Sequence, residues 1–200
     1  VDGIEADEGQ IPALKSLKNS LSARLPSRQE ALAVFSVVVF IVFSWTLYRA
    51  FWWLPSWLEY LNVWSVLILL AYILAFALFE SLVVMGLLLL LCWMTPGRYF
   101  KDQFVVQGSA LAAVLGIGGY LIQRDVSRIY KLELWQTLAY PLLALIGIIA
   151  FIITTSFVFK RIGLLTRLAL AVAERMTIFA YLYVPLGLIG ALVVIARNLW

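Results

Sequence analysis

Residues 62–95 read NVWSVLILLAYILAFALFESLVVMGLLLLLCWMT, and their single charge is Glu80. An α-helix rises about 1.5 Å per residue, so 62–94 reaches about 50 Å against a hydrocarbon core of about 30 Å. One carboxylate flanked on both sides by long uncharged apolar runs reads as a membrane-crossing helix. It also raises the question of what Glu80 does near the middle of that helix.

The rest of the chain agrees with this reading. Of 200 residues, 64% are hydrophobic and 13% are charged, whereas a soluble domain is about half apolar and about a quarter charged. The composition predicts an all-α integral membrane protein, multi-pass in the cell membrane, with the lipid bilayer as its first partner. Its expected fold is a bundle of about five transmembrane helices. The apolar runs place them at 30–53, 62–94, 104–123, 135–159 and 176–196. Together they make a membrane domain over 29–200. The first span closes in FWWLPSW (51–57), an aromatic belt ended by Pro55.

Residues 1–28 read as a polar tail. Asp2, Glu5, Asp7 and Glu8 open it, and Lys15, Lys18, Arg24 and Arg28 follow. Leucines at 14, 17, 21 and 25 keep a helical rhythm, which suits an amphipathic helix on the membrane surface. Ser27 followed by Glu30 matches a capping box at the start of the first span.

Loop charges set the orientation. With the N-terminus inside, the cytoplasmic side holds Lys15, Lys18, Arg24, Arg28, Arg98, Lys101, Lys160, Arg161, Arg167 and Arg175. The opposite side holds Arg49, Arg124, Arg128, Lys131 and Arg197. The expectation is therefore a cytoplasmic N-terminus and an external C-terminus. The stretch 160–175 spaces Lys160, Arg167 and Glu174 by seven, so they share one helical face. Lys160, Arg161, Arg167 and Arg175 make it basic, and it reads as an interfacial connector.

Composition also excludes chemistry. The chain has no histidine and one cysteine, Cys92. A Ser-His-Asp triad, a Cys-His pair, a histidine-bearing zinc site and an intrachain disulfide are all ruled out. No metal and no cofactor is expected. The net charge of +4 has no basic cluster outside the membrane pattern, so nucleic acid is not an expected partner. The interfacial acids Asp102, Asp125 and Glu133 are the remaining material for a lipid-modifying enzyme, and they form no recognisable catalytic pattern. No motif carries a family name.

Four features compete for a role. Glu80 is expected to be a neutral, hydrogen-bonded contact between helices, with Ser44, Tyr181 and Tyr183 as partners at similar depth. Its alternatives are a proton- or cation-linked site and a contact with another subunit. Gly108, Ala112 and Gly116 recur every four residues, and Gly119 continues their edge. Small residues at this spacing let helices approach closely, within the bundle or across a dimer seam. Pro185 removes a backbone hydrogen bond from the last span, so a kink is expected there. Thr154, Thr155 and Ser156 are expected to bond back to their own helix.

The function these features support is that of a non-catalytic structural or interaction subunit of a membrane assembly, whose partners are other membrane subunits or the chain itself. The alternative is a small transporter or channel component built on Glu80.

Overall fold

The computed structural model describes residues 26–95, 103–124, 147–148, 150–151, 153–155 and 163–199. Four long helices organise them: α1 (Arg28–Tyr60), α2 (Val63–Met94), α3 (Phe104–Arg124) and α4 (Gly163–Leu199). Among the described residues there is no strand.

Local sequence fixes the helix ends. Ser27 caps α1 through a complete capping box. Its backbone N–H donates to Glu30 Oε2 at 2.7 Å, and the Glu30 N–H donates to Ser27 Oγ at 3.3 Å. The helix then continues beyond Trp53, where the sequence places the end of the first span, and runs through Pro55 to Tyr60. A proline removes one donor and costs about 3 kcal/mol inside a helix. The intact turns on either side carry α1 past it. The stop comes at Leu61, whose N–H donates to Trp57 O at 2.8 Å. The next residue, Asn62, already caps α2 by accepting from the Ser65 N–H at 2.8 Å. A two-residue link joins α1 and α2, which pack antiparallel along their lengths, Val38 near Met85 and Phe43 near Leu78. Thr95 closes α2, with both its N–H and its hydroxyl donating to Leu91 O.

Among the described residues three helices are long and apolar enough to cross a membrane: α1, α2 and the Thr166–Leu199 part of α4. The described apolar part of α3, Phe104–Tyr120, is shorter. The stretch 163–175, expected as a separate connector, is helical and continuous with the rest of α4. Arg167, Glu174 and Arg175 are exposed on it, and Ala173 is buried in the core.

The core forms around α1, which packs against all three other helices. Towards the Ser27 end, Val34, Val37 and Val38 meet Met85, Leu88 and Cys92 of α2, Phe104 and Leu111 of α3, and Ala173 of α4. Farther along, Val39 and Phe43 meet Ala77 and Leu78 of α2, with Tyr183 and Val184 of α4 against them. Phe40 and Phe179 sit with ring centroids 4.8 Å apart, and Phe43 and Tyr183 stack at 5.1 Å. Glycines bring α4 onto α2. A Cβ on Gly187 would meet Leu78 Cβ at 2.8 Å, and one on Gly190 would meet the Ala71 carbonyl oxygen at 2.6 Å.

The expected span at 135–159 lies largely outside the described residues. Ile148 and Phe151 pack against the core. Thr154 and Thr155 donate to Ala150 O and Phe151 O, at 2.8 and 2.7 Å, as hydroxyls in apolar helices do by default. The tail before residue 26, Ser156, and the cations Lys160 and Arg161 also lie outside the described residues.

Candidate functional site: a cleft at the level of Glu80

The α2 helix is apolar all round, so its sequence sets no preferred buried face. Small and well-fitting residues decide instead. Ala71, Ala77, Leu78, Ser81, Met85 and Leu88 turn inward. The Ser81 hydroxyl, buried among them, is satisfied by Ala77 O at 2.7 Å. Glu80 is one residue back and therefore about 100° around the helix. It is exposed, at the edge of a face that also exposes Phe76, Phe79, Val83, Leu87 and Leu90.

That edge borders a cleft of about 700 Å³. Both α2 and α3 pack on α1 but barely touch each other, and the cleft is the space between them. Val38, Ile41, Val42 and Trp45 of α1 form its floor. Glu80 and Val84 form one wall, and α3 from Ala112 to Tyr120 forms the other. Glycine contacts set the register of α3 on α1. A Cβ on Gly108 would meet Val34 at 3.0 Å, and one on Gly116 would meet Ile41 at 2.7 Å. The same register carries Tyr120 to Trp45, where the rings meet edge to face at 5.2 Å and 81°. Among the described residues the cleft has three side chains with polar ends, Glu80, Trp45 and Tyr120, and its other described lining residues are apolar.

Among the described residues no hydrogen bond or ion pair reaches the Glu80 carboxylate. Ser44, Tyr181 and Tyr183, which the sequence offers as its partners, are not among the cleft-lining residues. Ser44 is half-buried on α1, Tyr181 is 79% exposed on α4, and Tyr183 stacks on Phe43. Trp45 and Tyr120, which sequence reasoning passed over, lie on the cleft with Glu80. The signal for them was the small-residue spacing of α3, which fixes which turn of α1 each turn of α3 meets.

The small-residue edge divides between two tasks. Gly108, Ala112 and Gly116 face α1 within the chain. Gly119 lines the cleft, and a Cβ there would meet nothing within 4 Å. Pro185 lies inside α4, which continues unbroken to Leu199. Cys92 is buried in the core. Among the described residues no group of three or more His, Cys, Asp or Glu is placed to hold a metal ion.

In a bilayer, a carboxylate near the middle of a span costs at least about 2.5–3.5 kcal/mol. A neighbouring donor or cation offsets that cost, and this site leaves one side of Glu80 open to receive one. Comparison with protein-family models, curated proteins and solved structures found no match.

Proposed function

We propose that the chain is a non-catalytic interaction subunit of an assembly in the cell membrane. In this reading it crosses the bilayer about five times, with its N-terminus in the cytoplasm, and works by presenting a helix surface to other subunits. The observation that carries the reading is Glu80, a lone carboxylate that faces out of the bundle near the middle of an apolar helix. A freestanding bundle gains nothing from that placement, whereas a neighbouring subunit that supplies a donor removes its cost. The excess of lysine and arginine in the loops assigned to the cytoplasmic side supports the orientation.

The test is purification of the tagged protein from its native membranes in mild detergent, followed by native mass spectrometry. Other subunits retained in fixed ratio are the expected result. A protein that travels as a bare monomer overturns the reading. The exposed carboxylate at the cleft also favours a second one, a transport component with Glu80 as its cation-linked site. Proton flux into liposomes that Glu80→Gln abolishes would replace the first reading with the second.

A further inference from the structure

We propose that the cleft between α2 and α3 seats a transmembrane helix from a different protein, and that this helix carries a lysine or arginine at the level of Glu80. The inference rests on the subunit reading and names the chemistry of the partner.

The shape of the cleft comes first. Both α2 and α3 pack on α1 and barely touch each other, which leaves a groove between them whose two walls a further helix can pack against. Gly119 leaves the α3 wall low beside Tyr120, so an incoming backbone can approach closely.

Charge decides the occupant. One wall carries a carboxylate, and among the described residues nothing within the chain pairs with it. A cation from the partner would lie against Glu80 in a medium of low dielectric, where such a pair is strong. Trp45 and Tyr120 line the same cleft, and an aromatic ring attracts a cation that lies over its face.

A second copy of this chain does not supply that cation. No lysine or arginine occurs in residues 50–97, 102–123, 132–159 or 176–196. Arg49 comes nearest on α1, but Ile41 is the α1 residue midway along the floor of the cleft that Glu80 lines, and eight residues of helix separate Ile41 from Arg49 by about 12 Å along the axis. Copies inserted in the same direction keep that offset, so the match has to come from a different helix.

The test uses the full chain in phosphatidylcholine vesicles and synthetic transmembrane peptides of leucine and alanine. One peptide has a central lysine, one a central leucine and one a central aspartate. Energy transfer between labelled protein and labelled peptide reads binding. The lysine peptide is expected to bind, and the leucine peptide to bind about tenfold more weakly or worse. Glu80→Gln should lose the preference for lysine, and Glu80→Lys should transfer it to the aspartate peptide. Gly119→Leu, which adds bulk to the α3 wall where a Cβ meets nothing within 4 Å, should weaken the lysine peptide while leaving the thermal midpoint unchanged.

Equal binding of the lysine and leucine peptides overturns the proposal. So does a lysine preference that survives Glu80→Gln. Binding of dodecylammonium at Glu80 without binding of the lysine peptide also overturns it, and makes the cleft a site for small lipophilic amines. Subunits retained from native membranes together with failure of the lysine peptide would leave the subunit reading standing and remove only the cationic partner.

Discussion

The backbones of α2 and α4 meet where Gly190 faces Ala71: a Cβ on Gly190 would lie 2.6 Å from the Ala71 carbonyl oxygen and 3.1 Å from the Ala75 nitrogen. Neither atom can move aside without moving α2. Gly190→Ala is therefore expected to push the helices apart and to destabilise the fold by about 1–3 kcal/mol, the usual cost of overpacking. Gly86→Ala is the control, because a Cβ there meets nothing within 4 Å. It should be neutral, or stabilising by up to about 1 kcal/mol through helix propensity. Thermal unfolding in detergent checks both. Equal midpoints for the two variants would show that α2 and α4 do not meet at Gly190.

Phe43 is fully buried and stacks on Tyr183 with rings 9° from parallel. Phe43→Ala removes the ring that joins α1, α2 and α4, and a loss of about 3–5 kcal/mol is expected. Tyr183→Phe keeps the stacked ring and removes only the hydroxyl, so a change below about 1 kcal/mol is expected. Denaturant midpoints of the two variants check this. A large loss on Tyr183→Phe would mean that the hydroxyl, and not the ring, holds the contact.

How much of this was legible in the sequence varies from element to element. The capping box at Ser27 and Glu30 and the start of α2 at Asn62 follow from short-range chemistry that a sequence carries openly. The extent of α1 was less legible, since Pro55 signals a stop that the intact turns around it override. Continuity across 163–199 was hidden because charges at Arg167, Glu174 and Arg175 mark a change of surroundings, not a break in the helix. The orientation of Glu80 was hidden most deeply. In a helix that is apolar all round, hydropathy does not distinguish inside from outside. Contacts such as Gly190 on Ala71 and Gly187 on Leu78 turn α2, and they exist only once the helices have met. Glu80 then points to the groove beside α3, away from the α4 tyrosines that sequence depth alone offered as partners.

Gly116 and Gly119 lie on one edge of α3 but differ in what surrounds them. A Cβ on Gly116 would meet Ile41 at 2.7 Å, whereas one on Gly119 meets nothing. Gly116→Ala should destabilise the fold by about 1 kcal/mol or more and so lower its thermal midpoint, with no change in subunit count. Gly119→Ala should leave the midpoint in place. Native mass spectrometry beside the melting curves checks the pair. A Gly116→Ala protein that melts normally but loses an oligomer would assign this edge to a dimer seam.

Five consecutive leucines, 87–91, provide a test of how α2 is turned. Leu88 is fully buried against α1 and α3, and Leu87 beside it is 52% exposed. Nothing in the run itself distinguishes the two, so only the fold does. Leu88→Ala opens a cavity among Val34, Val38 and Phe104, for which a cost of about 2–5 kcal/mol is expected. Leu87→Ala trims a side chain on the exposed face of α2, and a change of about 0.5 kcal/mol or less is expected. Unfolding of the two variants in matched detergent measures the difference directly. A larger loss at Leu87 than at Leu88 would mean that α2 is rotated from this position, and Glu80 would then leave the cleft with it.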